Sequence, residues 1–128
     1  DHRDLHLSIR RQRQMCIRDS ATGKVYWQVN FGNYPGHPDL EYGAESYGGP
    51  VVTASGLIFI GATPDAKFRA YDTKDGSVLW DTDLPAAGLA TPAVYRVDGK
   101  QYVMIAAGGG RMASVHSGSD YVAFSLPD

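Results

Sequence analysis

Sulfur, long apolar runs and positive charge are all scarce in this sequence of 128 residues. There is one cysteine, Cys16. A single thiol excludes a disulfide framework and any cysteine-based zinc site. Lys and Arg number 12 against 14 Asp and Glu, a net charge of −2, so no basic excess points to nucleic acid. No apolar run approaches the ~20 residues that span a bilayer as a helix. No window keeps apolar residues at sustained helical spacing. The hydrophobic share, 43%, is nevertheless enough for a packed core and excludes chain-wide disorder.

These scarcities are unevenly distributed. Residues 1–20 hold no Gly, Pro or Tyr, whereas residues 21–128 hold all 15 Gly, 7 Pro and 8 Tyr. The first 20 residues carry five Arg and three Asp, a charge of +2; the remainder carries seven basic and eleven acidic residues, or −4. A shift this sharp predicts a boundary. The segment lacks the apolar stretch and small-residue cleavage site of a secretory signal. Its tract RQRQMCIRDS resembles translated sequencing-adapter read-through. Residues 1–20 are therefore expected to be a non-native segment, Cys16 is given no role, and residues 21–128 are expected to form the folded part.

Residues 21–128 predict an all-β fold. VVTA (51–54), LIFIGA (57–62), KFRAYD (67–72), SVLWDT (77–82), AVYRV (93–97), QYVMIAA (101–107) and YVAFSL (121–126) are short, β-branched and aromatic runs. Turn residues separate them, among them Asp75-Gly76 and Asp98-Gly99. Thr22-Gly23-Lys24-Val25-Tyr26-Trp27 matches Asp75-Gly76-Ser77-Val78-Leu79-Trp80 at an offset of 53. Pro50-x-Val52 followed by Gly56 matches Pro92-x-Val94 followed by Gly99. Four antiparallel strands repeating every ~40–50 residues is the period of a β-propeller blade. The pattern predicts one outer strand (24–31), one full blade (50–84) and three strands of another (92–126). That is a partial propeller, because ~4–8 blades are needed for closure. The chain is expected to be the C-terminal piece of a longer protein, its remaining blades supplied by the parent chain.

Up-and-down connectivity sorts the loops onto two ends. One end has only tight turns, at Ser55-Gly56, Asp75-Gly76 and Asp98-Gly99. The other carries the long segments 33–49, 61–66, 85–91 and 107–120. Binding groups concentrate on irregular loops held by a rigid scaffold, which places the candidate site at this second end. Aligning Gly56 with Gly99 superposes Asp65 on Gly108. Gly108-Gly109-Gly110 permits positive φ and close approach of backbone N–H groups to a flat or anionic ligand. A simple chain turn also explains those glycines, and a turn role also explains Asp65 after Pro64.

The runs GGPVVTASGLIFIGATPDAKFRAYDTKDGSVLW, LPAAGLATPAVYRVDGKQYVMIAAGGG and SDYVAFSLPD resemble the C-terminal end of pyrroloquinoline-quinone (PQQ)-dependent dehydrogenases. The likeness is greatest to the membrane-bound glucose dehydrogenase branch and covers residues 21–128. Ala70, Asp72, Gly76 and Trp80 form the tryptophan docking element of that family. The resemblance implies about two blades of an eight-bladed quinoprotein propeller. It implies PQQ and a divalent cation, Ca²⁺ or Mg²⁺, near the axis, and a sugar or alcohol as substrate. It implies ubiquinone as electron acceptor and the periplasmic side of the inner membrane as location. The catalytic Asp base and cation ligands of the family fall outside this segment, so no catalytic residue is assigned and the segment alone is expected to be inactive.

The cofactor-binding residues that the resemblance implies are Asp65, Gly108 and Gly109. Gly110 stands where the glucose branch often has His, which weakens an assignment to glucose itself. Arg111 offers a cation suited to the carboxylates of the cofactor, and a solvated loop role fits it equally. Trp27 and Trp80 are expected to pack blades, and Asp72 to bond the turn around Gly76. His37, His116, Glu41 and Glu45 are expected to be solvated loop residues. The competing reading is a non-enzymatic propeller, such as an outer-membrane assembly scaffold.

Overall fold

The computed structural model describes residues 13–36, 42–110 and 116–128. Among the described residues, nine strands form three antiparallel sheets and there is no helix. The first sheet pairs β1 (Gln14–Arg18) with β2 (Val25–Asn30). The second is a four-stranded blade in sequential order: β3 (Val51–Val52), β4 (Leu57–Ile60), β5 (Lys67–Asp72) and β6 (Val78–Asp83). The third holds β7 (Ala93–Val97), β8 (Lys100–Gly109) and β9 (Ser117–Ser125). This is a partial propeller, as the repeat predicts, but with two strands of the first blade in place of one, then a complete second blade and three strands of a third.

Period-two alternation turns the two faces of β4 and β5 toward different neighbours. Ile58, Ile60 and Tyr71 turn toward the first sheet and meet Phe31, Met15, Ile17, Trp27 and Val29. Phe59 and Phe68 turn toward the third sheet and meet Val103, Ile105, Val122 and Phe124. The sheets therefore stack face to face through two separate cores.

The hairpin turns follow local chemistry. In the β5–β6 turn, Asp72 Oδ1 accepts from the Lys74 amide at 2.8 Å, and Gly76 takes a left-handed φ of 74°. Asp72 thus bonds the turn around Gly76, as its position in the motif predicts. Asp98-Gly99, at φ 48° and 79°, joins β7 to β8 as a two-residue turn whose mirror-image geometry suits strand twist.

Two differences from the sequence reading stand out. First, Gln14–Arg18 form a strand paired with β2, so strand structure extends into the segment expected to lie outside the folded part. Met15 and Ile17 alternate with Gln14, Cys16 and Arg18 and pack in the first core. Asp19 repeats the role of Asp72 at the offset of 53: its Oδ1 accepts from the Ala21 and Thr22 amides at 2.8 and 3.1 Å. The period-two signal was masked by the polar and charged neighbours. Second, the predicted loop 107–120 is shorter, because β8 runs to Gly109 and β9 begins at Ser117. Gly109 pairs with Ser117 across a bulge, so ladder formation overrides the poor strand propensity of Gly and Ser.

Candidate functional site

At the loop end, the connection that follows the middle blade runs against the β4–β5 loop and the end of β8. The glycine run lies here. Gly109 and Gly110 are left-handed, at φ 55° and 84°, a conformation that L side chains adopt rarely. The Gly109 amide donates to Ala87 O at 2.9 Å. A Cβ added to Gly108 would meet nothing within 4 Å, whereas one added to Gly110 would lie 2.9 Å from Ser117 Oγ. Gly108 is exposed, so its backbone faces open space among the described residues. Arg111, His37 and Glu41 lie outside the described residues. Glu45 is exposed. His116 is also exposed, but its Nε2 sits 2.6 Å from Pro85 O.

Asp65 occupies the loop that joins β4 to β5, and its carboxylate points inward. Oδ2 pairs with Arg69 Nη2 and accepts from the Asn33 amide at 3.0 Å. Oδ1 accepts from Thr63 Oγ1 at 2.6 Å, the Lys67 amide at 3.2 Å and Arg69 Nη1 at 3.3 Å. The side chains of Asp65 and Arg69 are only 10% and 8% exposed, so this is a buried ion pair. Burial pushes the Asp65 carboxyl up, but the Arg69 guanidinium, the Thr63 hydroxyl and the Lys67 amide outweigh it and hold the group below the ordinary carboxylate value. Both oxygens are thus engaged within the protein, with the Asn33 contact reaching the connection from the first blade.

Arg69 and Thr63 were not singled out from the sequence. KFRAYD satisfied a strand pattern, so the arginine inside it carried no separate signal. The available clue was a cation on a strand face alternating with apolar residues, four positions after an acid. Buried cations need a partner. Here the pair sits beside Tyr71, whose ring meets Phe31 edge-on at 6.3 Å and whose hydroxyl burial pushes up to about 12.

Trp27 and Trp80 pack between sheets, as expected. Trp27 Nε1 donates to Thr73 O at 2.8 Å, and its ring lies where a Cβ of Gly76 would be, 2.6 Å from Cε3. Trp80 meets Phe68 and Phe124 edge-on at 6.0 and 5.2 Å. An open groove lined by Thr53, Ser55, Tyr95, Arg96 and Gln101 lies at the tight-turn end, away from the glycine run. Among the described residues, no three His, Cys, Asp or Glu side chains converge on a metal-sized site, so none is assigned to a cation.

Residues 13–103 match the family described as "PQQ: Glucose/ethanol/alcohol dehydrogenase, beta-propeller domain". The chain is 40% identical over 118 residues to quinoprotein glucose dehydrogenase of Escherichia coli (strain K12), covering 86% of this chain and 15% of that protein. It is 40% identical over 113 residues to the glycerol dehydrogenase large subunit of Gluconobacter thailandicus, covering 82% of this chain and 15% of that protein. The chain thus spans about 15% of the length of these curated relatives. Among solved structures, quinohemoprotein alcohol dehydrogenase from Comamonas testosteroni superposes with a TM-score of 0.68 at 26% identity, over 88% of this chain and 16% of that one. BamB from Moraxella catarrhalis superposes with a TM-score of 0.53 at 18% identity, over 76% of this chain and 30% of that one, a likeness of fold alone.

Proposed function

This chain belongs to the PQQ-type glucose/ethanol/alcohol dehydrogenase β-propeller family, and on that premise we propose that it forms part of the cofactor-facing wall of a quinoprotein dehydrogenase oxidising an aldose or an alcohol. One observation carries the reading: the glycine run at the loop end, with open backbone at Gly108 and left-handed turns at Gly109 and Gly110. PQQ, when bound, supplies the acceptor for a hydride from the substrate. Gly108 offers an uncluttered surface for a planar ring. Gly109 holds that surface in place through its bond to Ala87 O. The divalent cation, Ca²⁺ or Mg²⁺, and the proton-accepting base are assigned to other parts of the enzyme. In this reading the electrons pass to ubiquinone at the periplasmic side of the inner membrane.

The test is titration of the full-length protein with PQQ and Ca²⁺. Saturable quinone absorbance and dye-linked oxidation of glucose or a simple alcohol are expected; absence of both overturns the reading. Gly108→Val should weaken quinone binding about tenfold or more, a step of ~1.4 kcal/mol. Its melting temperature should stay close to that of the parent, because a Cβ at Gly108 meets no atom of the described residues within 4 Å. The 128-residue chain alone should show no turnover. The scaffold reading shares the propeller shape but is supported at 18% identity, against 40% for the dehydrogenases.

A further inference from the structure

The loop carrying Asp65 is strained. Ala62 and Ala66, at its two ends, are left-handed at φ 65° and 55° without being glycine. Such residues persist only where their surroundings over-determine them, and they gather at functional sites. What over-determines this loop is the buried cluster between its ends. Arg69 Nη1 reaches Thr63 Oγ1 at 3.2 Å, and Arg69 also pairs with Asp65.

The same loop is the centre of a backbone belt across three sheets. The Tyr47 amide donates to Ala62 O at 2.9 Å, from the connection that precedes the middle blade. The Ala62 amide donates to Gly88 O at 2.6 Å, in the connection that follows it. The neighbouring carbonyl of that connection, Ala87 O, accepts from Gly109 at 2.9 Å. The Leu84 amide closes the far side by donating to Ala66 O at 2.7 Å. Glycines let these chains approach. A Cβ on Gly61 would lie 2.6 Å from Gly88 O, and one on Gly88 would lie 2.6 Å from Ile105 Cδ1.

We infer that Arg69 and Asp65 are positioning residues for the glycine run: their ion pair sets the Ala62–Ala66 loop, and the bonds from Ala62 to Gly88 and from Gly109 to Ala87 pass that position to Gly108–Gly110. This rests on the dehydrogenase reading for its purpose, though not for its geometry. Asp65 then acts without touching the cofactor, which agrees with both its oxygens being bonded internally.

Hydrogen exchange on the full-length protein, without cofactor, tests the coupling. In Arg69→Met, the acceleration at the Ala62 and Gly109 amides should exceed that at the Val103 and Ile105 amides of β8 about tenfold. Arg69→Lys should restore part of the protection. A titration with PQQ should show weaker binding in Arg69→Met and partial recovery in Arg69→Lys. Faster exchange confined to Asn33 and Lys67, or spread evenly over every strand, overturns the inference. If Arg69→Met does not fold, Thr63→Val loosens the loop while keeping the charges, and unchanged Gly109 exchange in it is equally decisive. If the unmodified protein binds no quinone, the dehydrogenase reading fails, and the exchange data still decide the coupling.

Discussion

The hairpins β1–β2 and β5–β6 are paired in the same register, displaced by 53 residues, down to the bulge. Gln14↔Asn30 corresponds to Lys67↔Asp83, Ile17↔Trp27 to Ala70↔Trp80, and Arg18↔Val25 to Tyr71↔Val78. Their surroundings differ. Trp27 is seated on the Gly76 turn of the following blade, with its indole N–H bonded to Thr73 O. Trp80 instead meets an aromatic group made by Phe68 and Phe124. The two interfaces diverge in the same way. The first joins an apolar cluster to the Asp65–Arg69 pair, and the second is apolar and rich in aromatic rings. Backbone register repeats because it depends on strand length and turn chemistry. Side-chain partners specialise because each face meets a different neighbour.

The largest effect is expected at the centre of the second interface. Phe68 is fully buried and touches Phe59, Trp80 and Phe124, so Phe68→Ala should cost about 3–5 kcal/mol in urea unfolding. A loss below ~1 kcal/mol would mean that the second and third sheets do not pack as described. At the first interface, Arg69→Met strands a buried carboxylate and should cost about 3 kcal/mol or more, whereas the double variant Arg69→Met with Asp65→Leu should recover much of that. If the double variant is no better than the single, the cost comes from lost packing around Arg69 and not from the unpaired charge.

The pH dependence separates the interfaces further, because the titrating groups lie at the first. Asp65 is held below its ordinary value in the folded state. Its contribution is therefore present above the ordinary carboxylate range and is lost as pH falls through the folded value. Tyr71 is shifted the other way, up to about 12, because burial disfavours the phenolate. Its neutral form contributes fully below its ordinary value of 10.0 and is lost as pH rises through about 12, a change of roughly 2–3 kcal/mol. Tyr71→Phe should abolish that alkaline loss in pH-dependent denaturation; an unchanged profile would assign it to other groups.

The smallest and sharpest comparison uses two equivalent glycines. Gly23 and Gly76 share a left-handed backbone, at φ 72° and 74°, but only Gly76 carries a docked tryptophan. Gly23→Ala should cost about 1 kcal/mol, the backbone strain alone. Gly76→Ala should cost roughly 1–2 kcal/mol more, since Trp27 must shift to admit the methyl group. Equal losses in thermal melts would show that Trp27 does not dock in solution.

Much of this was legible from short-range patterns. The β-branched and aromatic runs LIFIGA and QYVMIAA marked strands, and Asp98-Gly99 marked a tight hairpin turn. The strand around Met15 and Ile17 was not legible, because the composition shift at residue 20 and the adapter-like tract RQRQMCIRDS set residues 1–20 apart. The candidate site was legible only in part. Gly108–Gly110 announces unusual backbone by composition. Asp65 announces a carboxylate but not its direction, which depends on Arg69 four residues later and on Asn33, 32 residues earlier in the chain.

What the amino-acid order determined by itself is the local half of the molecule: strand against turn, the blade period, and the equivalence of positions 53 residues apart. These rest on φ/ψ preference, period-two hydrophobicity and short side-chain-to-backbone bonds, all of which act within a few residues. The tertiary structure alone decided which side chains face inward, which equivalent tryptophan finds a glycine, and how the Asp65 loop is tied to Gly109 through Gly88 and Ala87. Those outcomes need groups from different blades to meet, and the burial that makes an ion pair consequential exists only after the sheets have stacked.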